Sequence, residues 1–298
     1  MKKTVFFGQE LPNPFAIASG TWGYDINERI AKEVVFTPKS VKYLETPGNP
    51  QPRTSEVIRD DILEISAPYS IGDLADKRGM VNCIGLQQPG IDAVIEKYIQ
   101  QYRSLGAKVI LSVAGNAEPD YVYVIVKFGT CEDAVIAYEI NVSCPNVERG
   151  LVFGTDPDMT FDLVETLRKL TQKPLIVKLT PNVENICDIV SAAIEAGADA
   201  ISLINTILVK ARMKDGREIR GGLSGPMIFP IACGLLRQVR REFPDIPIIA
   251  GGGVWSAEDA RLMFDLGATL VFVGTLNFTR PDAIFRLIDK YDSLFARG

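Results

Sequence analysis

Cys144 stands in the run Asn141-Val142-Ser143-Cys144-Pro145-Asn146, between two asparagines and directly before a proline. A thiol, with a reference pKa of ~8.5, can act as a base or nucleophile near neutral pH. It gains weight here because the 298 residues include no histidine. Imidazole acid–base chemistry, the Ser-His-Asp triad, the Cys-His pair and histidine-ligated metals are all removed together. Proton transfer must then fall to Cys, Asp, Glu, Lys or Tyr. Cys83, Cys131, Cys187 and Cys233 read as small buried hydrophobes, the common role of free cysteine. Position alone leaves that role open for Cys144 as well.

Three further groups could meet a ligand. Lys39 and Lys178 lie at the ends of apolar runs and should point inward. A buried unpaired ammonium is costly, so each implies an anionic partner, unless it snorkels to a rim. Asn82, Asn141, Asn146 and Asn205 can each donate and accept, and several converging would suit a planar amide or imide ring. Any one of them alone is more readily a turn residue. Finally, Gly251-Gly252-Gly253 and Gly274-Thr275 each follow an apolar run, and Ser256 with Asp259 forms a capping box for the next helix. One such turn would be ordinary. Two in succession suggest backbone N–H groups gathered around a phosphate.

The elements that must position these residues repeat. Short apolar, β-branched runs occupy 15–18, 34–39, 108–113, 135–142, 175–179, 200–204, 246–250 and 270–273. Near-continuous apolar strands suit a parallel sheet buried on both faces. Helical periodicity fills 91–104, 161–170, 186–196, 227–243, 257–266 and 283–295. Gly106, Gly197 and Gly267, each followed by alanine, end helices ahead of strands. Eight strands alternating with helices predict an α/β fold, a single-domain (β/α)₈ TIM barrel over 1–298. A doubly wound sheet is disfavoured because no G-x-G-x-x-G follows the first strand. The expected strand ends carry Ser19, Ser40, Ser112, Asn141, Lys178, Asn205 and Thr206, together with the glycine turns, and barrels place their sites at those ends. The segment 47–82 has no clear period and reads as a long loop on the same face.

Composition narrows the function. A 47% apolar and 23% charged chain can bury a full core and is not disordered. The net charge of −5, without a basic segment, gives no footprint for nucleic acid or an anionic membrane. The closest cysteines are 13 residues apart, which excludes a local zinc or iron–sulfur cradle and predicts no metal. Gln9, Glu10, Pro12 and Pro14 interrupt the apolar start, and no apolar run is long enough to span a bilayer, so a cytoplasmic protein is expected.

These residues carry a resemblance. The chain resembles the class 1 dihydroorotate dehydrogenases, and within them the type B form, nearly end to end. The matching runs are Asn82-Cys83-Ile84-Gly85-Leu86-Gln87 with Pro89-Gly90, the Asn141–Asn146 run, Phe153-Gly-Thr-Asp-Pro157, Ile204-Asn-Thr206 and Gly221-Gly-Leu-Ser-Gly-Pro226. The last looks like type B, and cysteine at 144 separates the chain from class 2, where serine stands. The resemblance implies an FMN over the barrel mouth. Its phosphate would rest on Gly252, Gly253, Gly274 and Thr275, with Gly225 nearby. Lys178 would face the flavin N1–O2 edge, and Ser19, Lys39, Ser40, Asn141 and Ile204 would line the ring.

The same resemblance implies orotate stacked on the flavin. Asn82, Asn141, Asn146, Asn205 and Thr206 would hydrogen-bond it, Ile84, Gly85 and Leu86 would border it, and Lys39 would answer its charge. Cys144 thiolate would take the C5 proton while the C6 hydride passes to flavin N5, as a step in de novo pyrimidine (UMP) synthesis. A partner subunit with FAD and a 2Fe–2S cluster would pass electrons to NAD⁺, around a homodimer core in a heterotetramer. Two departures stand out. Ser112 occupies a position where asparagine is expected, which would shorten or water-bridge one flavin contact, and 53–78 is longer than expected. The competing readings are a dehydrogenase or reductase of another pyrimidine ring, a flavin-free phosphate-binding barrel isomerase or lyase, and a non-catalytic flavin-binding subunit.

Overall fold

The computed structural model describes residues 4–143, 152–280 and 282–295. In chain order its strands are β1 (Thr4–Phe6), β2 (Gln9–Leu11), β3 (Phe15–Ile17), β4 (Val35–Phe36), β5 (Thr54–Val57), β6 (Ile62–Ile65), β7 (Gly79–Asn82), β8 (Ile110–Val113), β9 (Ala137–Asn141), β10 (Leu175–Lys178), β11 (Ala200–Leu203), β12 (Ile207–Arg212), β13 (Glu218–Ser224), β14 (Ile248–Ala250) and β15 (Leu270–Val273). The helices are α1 (Glu28–Glu33), α2 (Ile91–Leu105), α3 (Glu118–Phe128), α4 (Val152–Thr155), α5 (Pro157–Arg168), α6 (Ile186–Glu195), α7 (Phe229–Glu242), α8 (Ala257–Asp265) and α9 (Ala283–Phe295).

Eight strands pair in the order β4-β3-β15-β14-β11-β10-β9-β8, every pair parallel. Parallel bridges from Phe36 to Val109 and from Val41 to Val113 join the two ends, so the sheet closes as a (β/α)₈ barrel. The eight predicted strands all occur. Their ends are trimmed, most at 34–39, where only Val35–Phe36 is ladder and the rest runs on as the segment carrying Lys39 and Ser40.

The side-chain period of two sorts each strand into layers. Ala16, Val35, Ile110, Ala137, Ile176, Ala200, Ile249 and Leu270, one from each strand, form one apolar cluster in the barrel lumen. Phe6 and Leu11 of the antiparallel β1–β2 hairpin join it and seal the floor. Leu111, Tyr138, Val177 and Ile201, one position further, pack outward into the larger core with the helices. One position beyond those the lumen turns polar: Ser112, Glu139, Lys178 and Ser202 are all buried.

The segment 47–82 is not an irregular loop. It supplies β5, β6 and β7 to a five-stranded antiparallel sheet of order β5-β7-β13-β12-β6. The β12–β13 hairpin, which follows the sixth barrel strand, lies in the middle of that sheet. The sheet reaches the barrel mouth through Gly222. A Cβ there would overlap the Thr206 side chain, so only glycine lets the sheet come this close. The side chain of Asn82 ties the same point down, donating from Nδ2 to the Gly222 carbonyl at 3.2 Å.

Candidate functional site

A chain of buried polar groups runs up the mouth-side lumen. Glu139 accepts from Ser112 Oγ at 2.9 Å and from Ser202 Oγ at 3.3 Å, and lies 3.6 Å from Lys178 Nζ. Ser112 Oγ is 2.8 Å from Ser40 Oγ, which accepts from Asn141 Nδ2 at 3.1 Å. Asn141 Oδ1 accepts from Ser143 Oγ at 2.9 Å, and Asn205 Nδ2 donates to Ser143 Oγ at 2.7 Å. Lys178 also donates to Ser19 Oγ at 3.0 Å and sits over the Phe272 ring. The inward lysine therefore has its anion within the protein. Glu139 was not among the expected site residues, although a lone charge in an otherwise apolar strand was visible in Ala137–Asn141. Ser112 bridges Ser40 to that carboxylate.

A second set of residues borders the mouth from the side of the five-stranded sheet, the lid of the barrel. Leu86 has φ 49° beside Gly85 at φ 73°, and a left-handed leucine is uncommon outside sites that need it. Asn49 holds this loop, its N–H donating to Ile84 O at 3.0 Å and its Nδ2 to Cys83 O at 2.8 Å. The N–H groups of Ile84, Gly85 and Leu86 have no acceptor among the described residues, so they are free to bind a ligand. Lys39 is half-buried; burial, and then the Arg53 guanidinium, hold its ammonium below the usual lysine range. Arg53, also absent from the expected set, donates to Gln87 Oε1 at 2.5 Å and keeps a buried Nε without a partner.

The third set lies at the ends of β14 and β15. A Cβ on Gly253 would meet the Gly225 carbonyl at 2.7 Å, one on Gly252 would meet Ile204 Cγ1 at 3.0 Å, and one on Gly225 would meet Thr275 Cγ2 at 3.6 Å. The expected residues Ile204, Gly225, Gly252, Gly253 and Thr275 therefore converge, and Gly274 borders Ala18 and Thr21. The capping box at Ser256 and Asp259 is present, and α8 starts there.

A family model described as dihydroorotate dehydrogenase matches residues 1–294. The chain belongs to the dihydroorotate dehydrogenase family. It is 40% identical over 301 residues to "Dihydroorotate dehydrogenase B (NAD(+)), catalytic subunit" of Alkaliphilus metalliredigens, covering 96% of this chain and 91% of that one. The Enterococcus faecalis (strain ATCC 47077 / OG1RF) protein of the same name is 38% identical, covering 95% and 87%. A "Putative dihydroorotate dehydrogenase A (fumarate)" of Aquifex aeolicus is 36% identical, covering 96% and 91%.

In this dihydroorotate dehydrogenase barrel the glycine cradle offers donors that suit the phosphate of an FMN. The N–H groups of Gly252, Gly253 and Thr275 have no hydrogen-bond partner among the described residues. Buried or half-buried unpaired donors need an acceptor, and a phosphate supplies several. Lys178 supplies a cation deeper in the same mouth. The residues fit the group. Cys144 and Asn146 lie outside the described residues; Ser143, directly before Cys144, is buried in the polar chain. Burial pushes the thiols of Cys187 and Cys233 up to about 12 and about 11, and raises Cys83 too, so these three are not activated. Among the described residues no cluster suits a metal ion, and no helix is long and apolar enough to cross a membrane.

Proposed function

We propose that this protein oxidises dihydroorotate to orotate with a bound FMN, as the catalytic subunit of a type B enzyme in pyrimidine synthesis. The observation that carries the reading is the convergence of three sets at one barrel mouth: unpaired glycine N–H donors, the Lys178–Glu139 pair and an amide cluster. Gly225, Gly252, Gly253, Gly274 and Thr275 hold the FMN phosphate, and Ser19, Lys39, Ser40, Asn141, Lys178 and Ile204 line its ring. When bound, FMN supplies the acceptor for the hydride leaving substrate C6. Asn82, Asn141, Asn146, Asn205 and Thr206 hydrogen-bond the substrate ring, and the free N–H groups at Ile84, Gly85 and Leu86 meet its acceptors. Lys39 answers the carboxylate. Cys144, as thiolate, removes the C5 proton.

The whole chain acts as one FMN-binding unit in the cytoplasm, as a homodimer bound to an iron–sulfur flavoprotein subunit with FAD and a 2Fe–2S cluster. The relatives' names, with "catalytic subunit" and NAD(+), support a partner subunit and NAD⁺ as acceptor. The relative named for fumarate makes the acceptor worth testing directly.

Anaerobic mixing of the purified yellow protein with dihydroorotate should bleach its flavin, whereas dihydrouracil should not. Cys144→Ala should keep the flavin and lose about 10²–10⁴-fold in bleaching rate, the usual worth of a general base. Parental bleaching by that variant would remove Cys144 from the role. Brisk NADH formation by the isolated chain would refute the partner, and turnover driven by fumarate would reassign the acceptor.

A further inference from the structure

We propose that Glu139 and Ser112 are positioning residues that fix Asn141 as an N–H donor toward the ring bound at the barrel mouth. The inference rests on the reading of that mouth as the pyrimidine site, and it gives Glu139 and Ser112 a role toward Asn141 that the reading does not.

Glu139 is buried and paired with Lys178 at 3.6 Å, so its carboxylate only accepts. The single proton of Ser112 therefore points to Glu139, at 2.9 Å. Ser112 then meets Ser40, 2.8 Å away, with a lone pair, so Ser40 must donate to Ser112. Having spent its proton downward, Ser40 can only accept from Asn141, whose near end must be the NH₂ group, 3.1 Å away. The far end of Asn141 gives the same answer independently. The backbone N–H of Ser143, which can only donate, points at it from 3.3 Å, so that end is the carbonyl oxygen.

Each hydroxyl in the series has one proton, and each proton runs toward the same carboxylate. The orientation of Asn141 is thus set from both ends, by a charge two serines away and by the Ser143 N–H. Nδ2 makes one hydrogen bond among the described residues, which leaves its second N–H for a ligand. Asn205 is held in a matching sense, because its Oδ1 accepts the Thr206 N–H at 2.8 Å and its Nδ2 faces Ser143. The mouth consequently favours a ring that presents a carbonyl or other acceptor at Asn141. Asparagine elsewhere in a lumen could turn over to suit a donor; this one cannot while the series is intact.

The experiment is titration of orotate into the FMN-loaded protein, followed by the flavin absorbance change, in the parent, Ser112→Ala, Ser112→Thr, Glu139→Gln and the double variant S112A/E139Q. Ser112→Ala, measured on protein saturated with FMN, should weaken orotate about 3- to 10-fold, the scale of a neutral hydrogen bond. Ser112→Thr keeps the hydroxyl and should bind within about 2-fold of the parent. Glu139→Gln can donate as well as accept and should weaken orotate about 10-fold or more. The two losses should not add in the double variant, because the serine link is already cut. Parental affinity in Ser112→Ala, a threonine variant as weak as the alanine, or fully additive losses would each overturn the proposal. If Glu139→Gln fails to hold FMN, the two Ser112 variants decide alone. A parent protein that binds no orotate would instead refute the underlying reading of the site.

Discussion

The same strands build two different lumens. At the floor, Ile110, Ala137, Ile176 and Ala200 join one apolar cluster sealed by Phe6 and Leu11. Two residues along each strand, Ser112, Glu139, Lys178 and Ser202 stand in their place, equally buried but polar. One pleat period separates a layer that holds the barrel together from a layer that prepares it to bind. The floor is held by apolar area and close packing, where a lost side chain costs its transfer energy and the cavity it leaves. The polar layer is held by satisfied hydrogen bonds and one ion pair, which lose their value if a single member is removed.

That contrast can be broken experimentally. Lys178→Ala leaves the buried Glu139 carboxylate without its cation and should cost about 3–5 kcal/mol in chemical denaturation. The same variant should lower the potential of the bound flavin, measured by dye equilibration. An unchanged stability and potential would mean that the pair is ornamental. Ile176→Ala removes a fully buried floor side chain and should cost about 2–5 kcal/mol while leaving FMN and orotate affinity unchanged. A matching fall in ligand affinity would show that the two layers are not separable.

The finest test uses pH. Burial, then Arg53, depress the Lys39 ammonium, so its charge is lost at lower pH than that of an ordinary lysine. Orotate affinity should fall with rising pH, starting below the usual lysine range, and Arg53→Gln should move the fall upward. Folding stability should run the other way. The folded state disfavours charged Lys39, so stability rises as pH climbs through the depressed range. An affinity that is flat across that range would remove Lys39 from the ligand's charge.

The barrel was legible because parallel strands buried on both faces read as apolar runs, and the helices between them keep a 3.6-residue period. Helix α3 was missed because Tyr121-Val-Tyr-Val-Ile-Val126 is rich in β-branched and aromatic residues, which argue locally against helix; packing of Tyr121, Val124 and Ile125 overrides that preference. The lid strands were missed for a different reason. Ile62–Ile65 and Thr54–Val57 bury only one face or one end; Ile62–Ile65 finds its partner in a distant hairpin, and Thr54–Val57 pairs with β7, which itself needs that hairpin. The Asp215-Gly216 turn of that hairpin was a readable sign. The site's asparagines, lysines and glycines could be named from strand ends. Glu139 could not be recognised by the same rule, since it lies inside its strand, one layer below the mouth.

The lid also sets an order of events during synthesis. Its third strand from the insertion, β7, pairs with β13, and Asn82 reaches Gly222 across 140 residues. At about 5–20 residues per second, a ribosome needs roughly 7–28 s to supply that partner. Through this interval β6 has no β12 and β7 has only β5, so the insertion waits as an unfinished edge while the early barrel strands emerge around it. Nascent chains halted before Glu218 should accordingly be cut by protease within 54–82, and chains released beyond Ser224 should resist. The part of the mouth that carries Asn82 is thus completed only once β13 has emerged, long after Asn82 itself.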